Sequence, residues 1–319
     1  METLILTRKE IESLVTMEEA IKAVEEAFRL YAISKALMPP KVYLTLEEGD
    51  FRAMPSALMG YAGVKWVNSH PKNPEKGFPT VMAVYVLSDP SNGFPLAVMD
   101  ATFLTSLRTG AGGGVAMKYL ARKDSKVFGF IGCGKQATFQ FLAVKELFEP
   151  ETIKAFDVNK KAGEKFKEFC EKNGFDCKLT EASEACDCDV LITSTPSTKP
   201  VVKNAWIKEG VHINAIGADA PGKQELEIEI LKRAKIVVDD LEQALHGGEV
   251  NVAHSTGIIR REDVYATLGE IVAGIKKGRE GNEITIFDST GLAIQDIAVA
   301  KIAYEKAMEE RIGMRVELL

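Results

Sequence analysis

Residues 126–159 read KVFGFIGCGKQATFQFLAVKELFEPETIKAFDVN, and this stretch decides the fold. A β-rich run, Lys126–Ile131, leads into the turn Gly132–Ala137, which has the spacing G-x-G-x-x-A and opens a run at helical spacing. A second short apolar run then ends on Asp157. The order strand, glycine turn, helix, strand and acid is that of the first βαβ unit of a dinucleotide-binding domain.

Each position of the glycine turn has its own physical reason. Gly132 allows the tight turn out of the strand, and Gly134 lets backbone N–H groups approach a pyrophosphate at the positive end of the helix. Ala137 keeps that helix close to the sheet. Together with Lys135 and Gln136, these residues are predicted to bind a dinucleotide. The alternative, an ordinary βαβ unit without a nucleotide, is disfavoured by the surrounding pattern.

Asp157 stands where the fingerprint places an acidic residue, at the end of the second strand. Its carboxylate would accept hydrogen bonds from an adenosine ribose and repel a 2′-phosphate, so it favours NAD over NADP. Asn159, two residues later, is assigned to the same cofactor site. Lys160 and Lys161 are also close in sequence and could serve a phosphate, which leaves NADP open.

Length and composition bound the class of protein. A chain of 319 residues suggests two domains, and a formal charge of −6 gives no reason to expect nucleic acid or a membrane as partner. The apolar runs are strand-length and Met1–Lys9 has no signal-peptide pattern, so we expect a soluble, cytoplasmic protein. Five cysteines without a C-x-x-C spacing predict reduced thiols, and the four histidines show no metal-ligand spacing.

The order of strand and helix patterns predicts two domains of different construction. In residues 41–99, strands follow one another without helices, so their sheet should be largely antiparallel. From Lys126 onward strands and helices alternate, which is typical of a doubly wound parallel sheet of the Rossmann type. The predicted fold class is therefore α/β. An α+β domain should span 1–118, with 300–319 returning to it, and a Rossmann domain 119–299.

Several segments outside the glycine turn have helical periodicity. Thr16 precedes Met17-Glu18-Glu19, which is a cap followed by acids in the first turn of a helix. The predicted helices lie in six segments: 7–32, 102–119, 160–172, 225–233, 240–245 and 293–311.

Polar residues follow three of the predicted parallel strands, at the ends where open α/β sheets bind ligands. The clusters are Ser194–Pro196, Gly217–Asp219 and Asp288–Gly291. Small residues there let backbone touch a dinucleotide, and hydroxyls can bond to ribose or carboxamide. Three such clusters beside the glycine turn favour a cofactor crevice over plain loops. The residues assigned to it are Thr195, Pro196, Gly217, Ala218, Lys223, Ser289 and Thr290.

Two residues have both a chemical and a structural interpretation. Asp219 could act as a general base near the nicotinamide, or cap a helix that starts at Ala220-Pro221, and the sequence leaves both open. Lys65 lies inside an apolar strand, where a buried lysine is unfavourable unless it is paired. The residues alone predict that Lys65 points to solvent, and they give Arg52 and Lys41 no evident role.

Arg108 and His212 are the remaining candidates for a site. Arg108 lies in a helix rich in glycine and alanine, whose small side chains would allow an anion to approach the guanidinium. His212 alternates within an apolar strand and is predicted to be a hydrogen-bonded core histidine.

With these residues assembled, the chain resembles the ornithine cyclodeaminase/μ-crystallin family over nearly its whole length. The most specific blocks are Lys65–Asn73 (KWVNSHPKN) and Leu104–Ala111 (LTSLRTGA). Further matching blocks are Met38–Lys41, Met54-Pro55, the glycine turn, Ile213–Asp219 and Asp288–Gly291.

The resemblance implies roles that the residues alone do not establish. It implies that Lys65 and Asp219 face the substrate, in proton transfer or in holding its carboxylate. It also implies that Arg108 holds cofactor phosphate, with Thr80 nearby. Lys41 stands where the cyclodeaminases have an arginine that grips the substrate carboxylate, so the charge is kept but the bidentate fork is lost.

Position 52 departs from the cyclodeaminase pattern. Those enzymes carry Glu-Leu-Met-Pro, with the glutamate receiving the distal ammonium of ornithine, whereas this chain has Arg52-Ala53-Met54-Pro55. Two cations at close range repel by about 4 kcal/mol at an intermediate dielectric. Ornithine is therefore disfavoured, and a small amino acid anchored by its carboxylate fits better.

The resemblance and this departure together predict an NAD-dependent oxidoreductase that interconverts L-alanine with pyruvate and ammonia. Lys65, Arg52 and Lys41 would hold the carboxylate while hydride passes from Cα to the nicotinamide. Asp219 would activate the water that attacks the resulting imine. The resemblance also implies a homodimer formed through the antiparallel domain and the helix 293–311. The alternatives are cyclodeamination of ornithine to proline, reduction of a cyclic imine such as pyrroline-2-carboxylate, and μ-crystallin-like binding without turnover.

Overall fold

The computed structural model describes residues 2–318, which form two compact units. The first unit contains the described residues up to Arg108 and those from Leu292 onward, and the second is Thr109–Gly291. The boundaries predicted from sequence, after residue 118 and before residue 300, each fall inside a helix. Helical periodicity does not report which unit a turn of the helix packs in, so sequence could not place them more finely.

The described chain opens with an α+β region. Thr16 caps the second of its helices: its Oγ1 accepts the Glu19 N–H at 3.3 Å, and the Glu19 carboxylate accepts the Thr16 N–H at 3.0 Å. This capping box starts a new helix, and the pattern predicted as one helix over residues 7–32 is therefore divided in two. The elements are β1 (Thr3–Leu6), α1 (Arg8–Leu14), α2 (Met17–Ala32), β2 (Val42–Leu46), β3 (Gly49–Leu58), β4 (Tyr61–Ser69), β5 (Ala83–Ser88), β6 (Pro95–Asp100) and α3 (Thr102–Leu120).

The second unit alternates strands and helices from Val127 onward. Its elements are β7 (Val127–Ile131), α4 (Lys135–Leu147), β8 (Thr152–Phe156), α5 (Lys160–Lys172), β9 (Cys177–Leu179), α6 (Ala182–Ala185), β10 (Val190–Thr193), β11 (His212–Ala215), α7 (Ile228–Leu231), β12 (Ala234–Val238), α8 (Leu241–Gly247), α9 (Asn251–Ser255), β13 (Ala266–Thr267), α10 (Leu268–Val272) and β14 (Ile284–Asp288). The helix predicted at 225–233 is only the single turn α7, because the N–H groups of Glu225 and Leu226 donate to the Glu249 carboxylate instead. The chain ends with α11 (Ala293–Glu310) and β15 (Met314–Val316).

The two sheets have the predicted construction. In the first unit the strand order is β15-β1-β6-β5-β4-β3-β2, and the neighbours are antiparallel except for β1 and β6. In the second unit the order is β13-β12-β14-β11-β10-β7-β8-β9, with parallel pairing throughout the described strands. The chain runs outward from β7 to β9, then returns to β10 on the other side of β7. This reversal is the topological switch point, where open α/β sheets bind ligands.

His212 lies in the core of the parallel sheet. Its Nδ1 is 2.9 Å from Thr285 Oγ1 and its Nε2 is 2.9 Å from Asn214 Oδ1, so both ring nitrogens have partners. Burial lowers the pKa of His212 to about 3, which keeps the ring neutral. The prediction of a hydrogen-bonded core histidine is confirmed.

Among residues 2–318, no helix combines the length and apolar character that crossing a membrane requires. The same residues contain no group of three or more His, Cys, Asp or Glu side chains placed to hold a metal ion. The predicted cytoplasmic location stays a prediction.

Candidate active site

The glycine turn between β7 and α4 leaves open space at the start of the helix. Gly132 has φ of +88°, and a Cβ there would lie 2.8 Å from the carbonyl oxygen of Ser194, so its conformation and its neighbour both require glycine. Gly134 precedes the first residue of α4, and a Cβ on it would meet nothing within 4 Å in the described chain. An anion can therefore approach the helix N-terminus closely, where the dipole is positive.

Asp157 lies beside this turn, at the end of β8. Its Oδ2 accepts the backbone N–H of Cys133 at 2.7 Å, and its Oδ1 accepts that of Asn159 at 2.7 Å. Each carboxylate oxygen has a further lone pair for a ribose hydroxyl. Asn159 itself caps α5, because its Oδ1 accepts the N–H of Lys161. The structure thus places the acid where the fingerprint requires it, and its bond to a ribose stays a prediction.

Gln136 supplies a further sign that the turn is built for a ligand. It lies in the first turn of α4, and its side-chain Oε1 is buried without a hydrogen-bond partner among the described residues. Buried polar atoms are nearly always hydrogen-bonded in folded proteins. A bound polar group with a donor would satisfy this atom, so the turn fits a dinucleotide.

The three polar clusters follow adjacent strands of the parallel sheet. Ile131, Thr193, Ala215 and Asp288 are paired in one row across β7, β10, β11 and β14. The residues after them therefore begin at the same level of the sheet. The structure brings together the glycine turn, Thr195-Pro196, Gly217-Ala218 and Ser289-Thr290 at one sheet edge, as predicted.

Buried carboxylates fix the backbone of these clusters; the sequence marked Asp288 as part of one cluster, but it indicated neither the burial of Asp288 nor any role for Glu225 and Glu249. We call Glu225, Glu249 and Asp288 the Glu225 group; all three are fully buried. Burial raises the pKa of each side chain, to about 8 for Asp288. Asp239 has a similar role, since its Oδ2 accepts the N–H groups of Thr290 and Gly291 at 2.7 Å. Glu225 occurs in a charged stretch, residues 223–229, and Glu249 directly follows Gly247-Gly248, so both resemble exposed segments and the sequence gave no signal for them.

Asp219 remains accessible at the tip of the loop after β11. The next helix, α7, begins at Ile228, so the alternative that Asp219 caps a helix is excluded. The Asp219 side chain is 35 % exposed, and its Oδ1 lies 2.5 Å from Lys223 Nζ. A solvent-accessible carboxylate beside a cation suits a base that must meet substrate and water.

The first unit has a buried ionic cluster around Lys65. The expectation from the residues alone, that Lys65 points to solvent, is wrong: its side chain is fully buried, and Nζ lies 2.8 Å from both carboxylate oxygens of Asp296. Arg108 shares this carboxylate, with Nε 3.0 Å from Asp296 Oδ1, and its Nη1 donates to Gln295 Oε1 at 3.0 Å. We call Lys65, Arg108, Gln295 and Asp296 the Lys65 cluster.

Burial and neighbouring charges bring the Lys65 ammonium close to deprotonation. The pKa of Lys65 is lowered to about 7, chiefly by burial and next by the positive charge of Arg108, with a smaller contribution from Lys41. The attraction of Asp296 opposes these effects. A lysine with a pKa near neutrality can exchange a proton under physiological conditions.

Arg52 and Lys65 lie on the same face of the antiparallel sheet. Lys65 is paired with Met54, which is two residues from Arg52 on β3, so the two cations are diagonal neighbours. Arg52 also bonds to Asp50, with Nε 2.7 Å from Oδ1 and Nη2 3.3 Å from Oδ2. Part of the positive charge at position 52 is therefore neutralised, which the argument from sequence did not foresee.

The other predicted residues of this unit differ in position. Lys41 immediately precedes β2 and is close enough to Lys65 to lower its pKa. Thr80 lies in the connection between β4 and β5, where its carbonyl accepts the N–H of His70 at 2.9 Å. Its place near a cofactor phosphate, and the phosphate-holding role of Arg108, stay predictions.

Comparison with known proteins gives the family. Residues 1–311 match the sequence model of the ornithine cyclodeaminase/mu-crystallin family. The chain belongs to this family. It is 66 % identical over 318 residues to the alanine dehydrogenase of Archaeoglobus fulgidus, covering 99 % of both chains. The resemblance predicted from the two specific sequence blocks is confirmed.

Two solved structures of family members are also close in fold. An archaeal alanine dehydrogenase dimer with bound NAD is 65 % identical, with a TM-score of 0.99 and full coverage of both chains. The Δ1-pyrroline-2-carboxylate reductase of Thermococcus litoralis, in complex with NADH and L-proline, is 44 % identical with a TM-score of 0.96. That match covers 98 % of this chain and 100 % of the other.

Proposed function

We propose that this chain is an NAD-dependent dehydrogenase that interconverts L-alanine with pyruvate and ammonia. The observation that carries the proposal is the 66 % identity to an alanine dehydrogenase over 99 % of both chains. The Lys65 cluster and the row of strand-end loops supply the kinds of groups that this reaction requires. In the oxidative direction, alanine, NAD⁺ and water give pyruvate, ammonium, NADH and a proton.

NAD is the proposed cofactor, and the second unit provides the residues for it. The open space at Gly134, the partnerless Oε1 of Gln136 and the placement of Asp157 all fit a dinucleotide. The carboxylate of Asp157 favours a free ribose over a 2′-phosphate, and so NAD over NADP. When bound, the nicotinamide would accept the hydride from the Cα of alanine. The solved relatives with NAD and NADH support this assignment.

Cations of the first unit are proposed to hold the substrate carboxylate. Lys41, Arg52 and Lys65 belong to one region of its sheet, and charge-assisted hydrogen bonds to a carboxylate are among the stronger ones. Arg108 joins them through the shared carboxylate of Asp296. Lys65 has a second proposed role, because a pKa of about 7 lets it take or give a proton during turnover.

Asp219 is proposed as the general base. Once hydride has left Cα, the substrate is an imine, and water must add to its carbon. Asp219 would take a proton from that water and later return one to the departing amine of the carbinolamine. Its partial exposure and its contact with Lys223 support this role.

A homodimer is the proposed assembly, with one sheet face of the first unit as its contact. Val42, Trp66 and Val84 share one row on that face and are 64 %, 45 % and 46 % exposed. Exposed apolar patches of this kind mark interaction surfaces. Helix α11 packs against β3 and β4 within the unit, so we assign the contact to the sheet face and not to the helix. The dimeric state of the solved relative supports this proposal.

The test is a panel of small L-amino acids with NAD⁺, followed at the NADH absorbance, with pyruvate and ammonium in the reverse direction. We expect alanine to be the preferred substrate and pyruvate with ammonium to consume NADH. Absence of alanine-dependent NADH formation would contradict the proposal, and steady turnover would exclude a binding protein without activity.

Reduction of pyrroline-2-carboxylate is the second candidate, favoured by the similarity to the reductase from Thermococcus litoralis. If the chain is such a reductase, NADH should be consumed faster with the cyclic imine than with pyruvate and ammonium. Ornithine with trace NAD⁺ belongs in the same panel, because proline formation from it would instead indicate cyclodeamination.

A further inference from the structure

The loop that carries Asp219 is closed by a side chain from its own far end. Glu225 Oε2 accepts the N–H of Gly217 at 2.8 Å, so the segment between them is tied at its base. The same carboxylate reaches the end of β10, where it accepts the Thr195 N–H at 2.6 Å and the Thr193 hydroxyl at 2.7 Å. One buried side chain thus joins the loops after β10 and β11.

A second segment holds this loop from the other side. We call Glu249–Asn251 the clamp. Glu249 Oε1 accepts the N–H groups of Glu225 and Leu226 at 2.9 and 2.7 Å. Asn251 Oδ1 accepts the N–H of Gly222 at 2.9 Å, and its Nδ2 donates to the Lys223 carbonyl at 2.9 Å.

The clamp is in turn connected to the end of β14. Val250 lies at its centre and donates its N–H to Asp288 Oδ2 at 3.1 Å. The loops after β10, β11 and β14 are therefore linked through the carboxylates of the Glu225 group and the backbone N–H of Val250. Burying carboxylates without a cation is unfavourable unless N–H or O–H groups bond to them, and here backbone donors do so. The backbone at the base of the loop is therefore fixed by hydrogen bonds, while the Asp219 side chain stays partly exposed.

We infer that Glu225 and Asn251 are positioning residues that fix the loop bearing Asp219 without touching the substrate. Asn251 bonds to Gly222 and Lys223 only three and four positions beyond Asp219, so it sets where that carboxylate lies. Glu225 has a wider effect, because it also holds Thr195, which is assigned to the cofactor. The functional part of the inference rests on the proposed role of Asp219.

The first experiment compares Asn251→Ala with the native full-length protein in alanine oxidation. Removing both loop bonds should lower kcat by about tenfold or more, since small displacements of a catalytic group reduce rates strongly. KM for NAD⁺ should change by a smaller factor than kcat, because Glu225 still holds Thr195 and Gly217 and only Lys223 of the assigned cofactor residues loses a bond. Asn251→Asp keeps the acceptor for Gly222 but loses the donor to Lys223, so its kcat should be intermediate.

Glu225→Gln should give a different pattern. Its side chain has a single acceptor oxygen in place of two, and its amide N–H₂ would oppose a backbone donor. Both a lower kcat and a raised KM for NAD⁺ are expected, because the loops at Thr195 and Gly217 are both released.

Asn173→Ala is the matched control. Asn173 likewise accepts with its Oδ1, in this case from Lys145 Nζ, and donates with its Nδ2 to a backbone carbonyl, that of Phe169, but it lies at the end of α5. It should change the melting temperature and leave kcat unchanged. A kcat for Asn251→Ala equal to that of the control would overturn the inference.

Hydrogen exchange separates this inference from the proposed function. In the absence of substrate, the amides of 218–223 should exchange at least about tenfold faster in Asn251→Ala than in the native protein, with 127–131 unchanged. If the native protein does not oxidise alanine, the proposed function is wrong. Hydrogen exchange alone then tests whether the clamp fixes the loop. Unchanged exchange in 218–223 would overturn the inference in either case.

Discussion

The Lys65 cluster and the Glu225 group both bury ionisable side chains, but they stabilise them in opposite ways. In the first, a lysine and an arginine share the carboxylate of Asp296, so side chains of opposite sign face one another. In the second, Glu225 and Glu249 accept mainly backbone N–H groups, with no ion pair to a cation among the described contacts.

This difference suits the Lys65 cluster to proton transfer and the Glu225 group to holding the backbone of the loops. The Lys65 ammonium is repelled by Arg108 and Lys41 and attracted by Asp296. Because its pKa is about 7, a small change in its surroundings is enough to add or remove its proton near neutral pH. The carboxylates of the Glu225 group bond to groups that cannot titrate, so their effect is to fix the loop backbone. Substitutions in each region test whether the two regions differ in this way.

Lys65→Met should have the greatest effect. The substitution removes both a carboxylate-holding cation and the group with a pKa near 7, so kcat/KM for alanine should fall by about 10³. Steady-state NADH formation measures it, and NADH binding should persist because the glycine turn is unaffected. Lys22→Met is the control, since Lys22 is an exposed helical lysine of the same unit. A loss below tenfold would contradict the proposed role.

Arg52→Glu should lower kcat/KM for alanine by about ten- to a hundredfold. A charge-assisted bond to the carboxylate is lost, and the new acid lies beside Asp50. Relative activity with ornithine should rise, because the cation that disfavours its ammonium is gone. Arg29→Glu, at an exposed ion pair on α2, is the control. An unchanged substrate preference would show that position 52 does not select.

Asp296→Asn should move the pH dependence of kcat to lower pH. The charge of Asp296 favours protonated Lys65, so removing it lowers the pKa of Lys65 further, by about one unit. The direction is the same whether turnover needs the neutral or the charged amine. Profiles between pH 5 and 9 measure the shift, with Asp89→Asn at an exposed turn as control. A shift to higher pH would exclude this assignment of the charges.

Asp288→Asn should have the mildest effect, on the pH dependence of stability. The folded-state pKa of Asp288 is raised to about 8 from a usual 3.8, so the folded form keeps a proton that the unfolded chain releases between those values. The free energy of unfolding from this residue therefore decreases as pH rises through that window. Melting temperatures should fall less between pH 4 and 8 in the variant. Equal slopes in the two proteins would contradict the protonation of Asp288.

Lys65 gives the opposite slope in the native protein. Its folded-state pKa lies below the usual 10.5, so the unfolded chain binds more protons between pH 7 and 10.5, and this contribution to stability rises across that range. In Lys65→Met this rise should disappear. The two buried regions thus have separate signatures in one set of melting curves.

The sequence was sufficient for the architecture of both units. Strand and helix periodicity predicted the antiparallel and parallel sheets, and the spacing from Gly132 to Asp157 predicted the glycine turn and its acid. The three polar clusters were predicted at strand ends and lie there. These features depend on residues near one another in the chain, where each position constrains its neighbours through backbone geometry.

Only the tertiary structure decided how the buried charges are paired. Lys65 meets Asp296 across 231 positions of sequence, and Glu225 reaches Thr195 across 30. Whether a charged residue in such a stretch is exposed or buried depends on which partner the fold brings to it. Local periodicity does not indicate that partner, because hydrogen bonds between distant segments form only when the sheets assemble. The elements could therefore be predicted from local pattern, and the electrostatics of the site could not.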